Sequence, residues 1–222
     1  MSRKTQRPKR RPIVVVHRPP ATALSPAQRA FVDGCRELPQ LRDPLEAELL
    51  VSEAAAGASA DEEFWAGVVE HAVSFPSRRN DRLLRVLAAM LTGRPGEWAA
   101  SAVPAEVPAL TVGGAWICDR SVDAGYLVLV CTYRFEDEHA MVFLLDELSG
   151  GVVRKAFVTR DVQAAHDELA GQCSLNEIGA EAAHWLLARA YDRLDRDRDD
   201  EASLDVQRTR LLANRRIALA FG

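Results

Sequence analysis

The chain has 222 residues, 48% of them hydrophobic, so it can bury a substantial core and needs neither metal nor disulfide support to fold. Its formal charge of −4 hides an imbalance: residues 1–20 carry seven Lys or Arg and no acid, leaving twenty-one basic against thirty-two acidic residues beyond, an arm of +7 on a body of −11. Charges interrupt every apolar segment, which excludes a run of the ~18–20 residues that a membrane-spanning helix needs. The four cysteines, Cys35, Cys118, Cys131 and Cys173, form no C-x-x-C pair, which argues against a zinc knuckle or a disulfide scaffold and reads as reduced thiols in a cytoplasmic protein.

Residues 1–23 hold four prolines and seven cations and too little apolar surface to offset their ordering entropy, so a disordered basic arm is expected there. The apolar run Ile13-Val14-Val15-Val16 is too short for a secretory leader. Beyond the arm, residues 24–222 read as one α+β domain, with a helical part over 24–104, an antiparallel sheet over 110–160 and a second helical part over 161–222.

Ser25-Pro26 supplies an N-cap and a first-turn proline for a helix through Phe31, Val32 and Cys35. Asp43-Pro44 repeats the signal for a helix on which Leu45, Leu49, Leu50 and Ala54 recur, with Gly57 as its terminator. Ser59-Ala-Asp-Glu62 matches a capping box and predicts a helix through Phe64, Val68 and Val69, stopped by Pro76. A fourth helix is expected from about Asn80, carrying Leu83, Leu84, Leu87 and Leu91 and ending at Gly93 and Pro95.

The pattern then changes to short β-favouring runs bracketed by glycine: Trp116 to Val122, Tyr126–Phe135, His139–Leu148 and Val152–Val158. The polar turn Glu136-Asp137-Glu138 and the glycines Gly150-Gly151 predict an antiparallel meander of about four strands flanked by N-terminal and C-terminal helices. Leu127–Val130 and Met141–Leu145 are apolar on both faces, so helices are expected to cover both sides of those strands. Helical spacing returns at Val162, Ala165 and Leu169, and Ser174-Leu-Asn-Glu177 matches a second capping box, predicting a helix with Ile178, Ala182, Trp185 and Leu186. Asp192–Glu201 alternates acids and bases; it lacks the glycine and terminal glutamate of a calcium loop and reads as a solvated helix end. The last helix spaces Leu204, Leu211 and Ala218 seven apart, a stripe suited to docking on another helix, either in this chain or in a partner or second copy through residues 204–219.

Common catalytic signatures are missing: no G-x-G-x-x-G, no G-x-x-x-x-G-K-[ST], no G-x-S-x-G and no H-E-x-x-H. His166-Asp-Glu168 has the H-x-E form of zinc deaminases without the P-C-x-x-C that would complete the ligand set, so no metal site and no cofactor is expected. The polar residues in the apolar meander are His139, Asp146, Arg154 and Lys155. A turn at Ser149-Gly150 puts Asp146 opposite Val153 or Arg154, and the plain reading is a cross-strand ion pair that fixes register. The sharper reading is a binding or acid–base site in which Asp146 is the carboxylate and His139 or Lys155 the proton carrier. The four tryptophans, Trp65, Trp98, Trp116 and Trp185, are scattered and read as core residues.

The segment Phe143-Leu-Leu-Asp-Glu-Leu-Ser-Gly-Gly-Val-Val-Arg-Lys-Ala-Phe-Val158 resembles the core of a group of uncharacterised actinobacterial proteins, in which an aspartate-ended strand and a glycine turn precede a strand of the form V-K-D-A-F-V. Arg154-Lys155 stands where that pattern has Lys-Asp, which argues against a shared catalytic carboxylate pair. The resemblance covers about the middle third of the chain and implies no activity.

The arm cations Arg3, Lys4, Arg7, Lys9, Arg10, Arg11 and Arg18 are the candidates for contact with an anionic partner, whether nucleic acid, an acidic protein or an anionic lipid surface. Together these features favour a non-enzymatic intracellular binding or adaptor module, with a small enzyme or ligand-binding domain around Asp146 and Lys155, or a structural subunit associating through the C-terminal helix, as the alternatives.

Overall fold

A computed structural model describes residues 23–58, 61–103, 109–197 and 203–221. It is an α+β fold of eight α-helices and a five-stranded antiparallel sheet among these residues, and no helix among them is long and apolar enough to cross a membrane. The basic arm and its seven candidate cations lie outside the described residues.

The helices begin where short polar side chains can satisfy the free backbone N–H groups of a first turn. Ser25 caps α1 (Pro26–Gly34) in a full capping box with Gln28, which runs into a 3-10 turn over Cys35–Gln40. Asp43 caps α2 (Pro44–Ala54), and beyond its end Gly57 sits at φ 77°, the left-handed conformation expected of a terminator. The cap of α3 (Glu62–Ser74) is Asp61, which accepts from the Phe64 N–H at 2.8 Å; Ser59, the capping serine expected from the sequence, lies outside the described residues. Ser77 caps α4 (Arg78–Met90). Gly93, expected to end that helix, instead opens another, α5 (Gly93–Ala102), with Pro95 inside its first turn, where a missing N–H costs nothing.

The strands are β1 (Thr111–Arg120), β2 (Tyr126–Arg134), β3 (Glu138–Asp146) and β4 (Val152–Thr159), followed by α6 (Val162–Ala170), a short fifth strand β5 (Asn176–Ile178), α7 (Ala180–Asp197) and α8 (Leu204–Ala220). Their order in the sheet is β4-β3-β2-β1-β5, the expected meander with β5 added beside β1. The presumed capping box at Ser174 is therefore a strand entry, because Asn176, Glu177 and Ile178 pair with Ile117, Trp116 and Ala115 before the helix starts at Ala180. Pairing with an exposed edge outcompeted a local cap.

Alternation along β2 and β3 divides the sheet into two faces. Leu127, Leu129, Cys131 and Tyr133, with Met141, Phe143 and Leu145, meet the large core built from α1–α5, α7 and α8. Val128 and Val130, with Ala140 and Val142, form a smaller cluster on the other side with Leu169 of α6 and Cys173 and Leu175 after it. Both sides are covered, as the two-faced hydrophobicity of these strands requires.

Three further expectations need correction. Cys118 and Cys173 are joined in a disulfide with Cα atoms 6.2 Å apart, so two of the four cysteines are not free thiols; β1 and the segment after α6 carry them to the same place although 55 residues separate them. Only Trp65 of the four tryptophans is buried, while Trp98 and Trp185 are exposed. Finally, α8 docks within the chain through Val206, Thr209, Leu212, Ala213 and Arg216; of the expected stripe, Leu211 and its neighbour Leu212 pack on the core, whereas Leu204 is exposed. The surfaces that receive it are α2, α7 and β4.

Candidate functional site

The three polar residues expected to form a site occupy three different environments. Asp146 ends β3, and its carboxylate accepts from the Ser149 N–H at 3.1 Å, from the Ser149 hydroxyl at 2.8 Å and from Arg154 Nε at 3.1 Å. The left-handed Gly150 and Gly151, at φ 80° and 82°, carry the turn that makes this possible. The strand register places Val152, not Val153 or Arg154, opposite Asp146; Arg154 falls at a bulge between the Leu145–Val153 and Leu144–Lys155 pairs, from which it turns back to the carboxylate. The Ser149 hydroxyl, followed by the Ser149 backbone and Arg154, holds the Asp146 carboxyl below its usual range. This is a register-fixing pair on a tight turn, the plain reading.

His139 points the opposite way, into the large core. It is 1% exposed and lies 3.4 Å from Nη2 of Arg216, which donates to Glu48 Oε2 at 2.6 Å. Arg216 is fully buried, and its guanidinium lies over the rings of Tyr133 and Phe135 at 5.4 and 5.7 Å, which supplies cation–π stabilisation to a charge otherwise met by one carboxylate. Burial raises the Glu48 carboxyl despite the Arg216 contact, and burial with the Arg216 and Arg160 charges lowers His139 to about 4. A histidine so lowered is neutral and weakly basic at pH 7, so it is poorly suited to proton transfer. A parallel pair closes the same region: His184 Nδ1 lies 2.6 Å from the Ala180 carbonyl, and its Nε2 lies 2.8 Å from the Tyr133 hydroxyl. The Nδ1–H donates to the Ala180 carbonyl, leaving Nε2 to accept from the Tyr133 hydroxyl.

Sequence reasoning missed Glu48 and Arg216 because 168 residues separate them. A signal was present in each helix separately: Glu48 and Ser52 share a helical face with Leu45, and Arg216 follows Leu212 and Ala213 at helical spacing. A charge at core spacing asks for a partner.

His139 lines a small cavity of about 300 Å³ beside Asp43 and Arg160, and Lys155 lines a larger one. Between the second face of the sheet and α6 lies a groove of about 540 Å³, whose floor is Val128, Val142, Leu144 and Phe157. Ala165 and Leu169 form part of its helical wall, and its polar lining is Lys155 with two carboxylates, Asp161 and Glu168, and the uncharged Tyr126, Thr159 and Gln172. No ion pair involves Lys155 among the described residues, so its ammonium is available. The groove follows directly from the fold, because α6 leaves β3 and the edge strand β4 partly bare.

His166 and Asp167 of the H-x-E triplet sit on α6 away from any metal arrangement, with the His166 ring edge-on to Trp116 at 5.7 Å. No cluster of three or more His, Cys, Asp or Glu side chains among the described residues is placed to hold a metal. No protein family, curated protein or solved structure matches this chain.

Proposed function

We propose that this protein is an intracellular, non-enzymatic binding module that holds a small amphipathic molecule in the groove between α6 and strands β2–β4. The observation that carries this reading is a pocket of about 540 Å³ with an apolar floor and, in its wall, a lysine that forms no ion pair among the described residues. Volumes of ~300–1,000 Å³ with a few placed polar groups suit small-molecule ligands. The apolar part of the ligand would lie along Val128, Val142 and Phe157, and an acidic or hydrogen-bonding head would meet Lys155. The segment Phe143–Val158, which carries the likeness to the actinobacterial proteins, contributes Phe143, Leu144, Lys155 and Phe157 to this lining, and we keep that kinship as part of the proposal.

Titration with the apolar sulfonate fluorophore 8-anilinonaphthalene-1-sulfonate tests it. Saturable binding weakened about tenfold, or roughly 1.4 kcal/mol, by Phe157→Ser and by Lys155→Glu supports the groove. Both side chains are exposed at the surface, so neither change threatens the fold. Binding unaltered in both variants overturns it.

A second reading rests on the charge of the arm. Seven cations on residues 3–18, against a net −11 beyond residue 20, suit a tether to nucleic acid or another anionic partner. Mobility-shift titration of the full chain and of a chain beginning at Ser25 separates the two. Loss of nucleic-acid binding in the shorter chain, with a shallower salt dependence, supports the tether; equal binding by both removes it.

A further inference from the structure

The disulfide and the groove meet on one small element. Helix α6 has no buried residue of its own, in contrast to α2, α3 and α4, each of which buries five or more. It lies over the second face of the sheet through half-buried side chains, Val162 and Leu169, and its C-terminal extension is tied to β1 by the Cys118–Cys173 bond. Ala164, Ala165, Glu168, Leu169 and Gln172, all on α6 or directly after it, form one side of the groove. The covalent link thus sits immediately beyond a groove wall that packing alone holds weakly.

We infer that Cys118 and Cys173 form a reversible thiol–disulfide exchange site whose co-reactant is a dithiol, and that the bond latches α6 in the position that completes the groove. The inference rests on the groove as a binding site. Cys173 is half-buried and Cys118 only 1% exposed, so an incoming thiolate reaches the Cys173 sulfur and Cys118 is the leaving thiolate. The attack forms a mixed disulfide between Cys173 and the dithiol. The second thiolate of the dithiol then displaces the Cys173 sulfur, leaving two thiols in this chain and one disulfide in the reductant, a transfer of two electrons and two protons. The Leu169 carbonyl oxygen, 3.4 Å from the Cys173 sulfur, is an acceptor for the new thiol. Cys35 and Cys131 take no part: both are fully buried, and burial pushes each thiol up to about 12.

The full chain is equilibrated in dithiothreitol buffers of graded reduced-to-oxidised ratio, trapped with a maleimide, and followed by peptide mass, by hydrogen exchange of residues 162–170 and by 8-anilinonaphthalene-1-sulfonate binding. The expected result is a reversible two-thiol transition at Cys118 and Cys173, with exchange in α6 at least about tenfold faster and probe binding about tenfold weaker in the reduced protein. The double variant Cys118→Ser/Cys173→Ser reproduces the reduced behaviour in every buffer. Failure of the pair to oxidise at any ratio overturns the inference, and so does a pair that cycles without altering α6 exchange or probe affinity. That second outcome leaves the groove standing, because the probe still binds. A redox response in α6 with no probe binding in either state overturns the groove reading, and with it the latch as a control of binding.

Discussion

The two faces of the sheet are held by different means. One carries α7 and α8 and belongs to a core built with five further helices, which encloses Phe143, Leu129 and Met141 at 1% exposure or less together with a buried Glu48–Arg216 pair. The other is covered by a single nine-residue helix with no buried residue and by one disulfide. Depth of burial makes the first face costly to alter and chemically quiet. Thin cover leaves a groove and a half-buried cysteine side by side on the second.

The largest expected effect is on the first face. Arg216→Leu leaves the Glu48 carboxylate buried without its partner, and denaturant titration should show a loss of about 3–5 kcal/mol. Adding Glu48→Leu to that variant should recover most of it, since two apolar groups need no desolvation. Paired truncations compare the faces directly: Leu129→Ala, fully buried in the large core, should cost about 2–5 kcal/mol, whereas Leu169→Ala on α6 should cost about 1. Equal costs would abolish the contrast.

His139 predicts a pH dependence. Its folded pKa, lowered to about 4 from 6.5, means that the unfolded chain takes up the proton first as the pH falls. The contribution is therefore fully present above pH 6.5 and is lost between 6.5 and about 4, amounting to about 3 kcal/mol. Glu48, raised by burial, acts with the opposite sign as the pH falls toward 4.5, and His184, also lowered by burial, adds to the loss. The difference between the stability–pH curves of wild type and His139→Gln isolates the His139 share, and identical slopes would show that its charge state is indifferent to folding. The smallest effect belongs to Asp146→Asn, which weakens a partly exposed ion pair with Arg154 and should lower stability by about 0.5 kcal/mol without changing probe binding in the groove.

Much of the fold was legible because its signals are local. Asp43-Pro44 and Ser25-Pro26 mark helix starts through contacts two or three residues long, and the glycine turn before Val152 marks a hairpin in the same way. The errors arose where a distant partner overrode the local preference. Ser174–Glu177 reads as a cap until β1 offers an edge to pair with, and Gly93 reads as a stop until the chain turns into α5. The candidate site was legible only in part: Asp146 and Arg154 are near neighbours and their pairing followed from the hairpin, but His139 and Lys155 were grouped with them although the pleat sends the first to the large core and the second to the groove.

The sequence by itself determined the class of fold, the four-strand meander between two helical parts and the two-sided burial of β2 and β3, though not α5 or β5, because capping, turn chemistry and periodicity act over a few residues. Tertiary structure alone decided which charges meet and which cysteines join. Glu48 and Arg216 are 168 residues apart and Cys118 and Cys173 are 55 apart, and such pairs form only when packing of the intervening elements brings them within bonding reach.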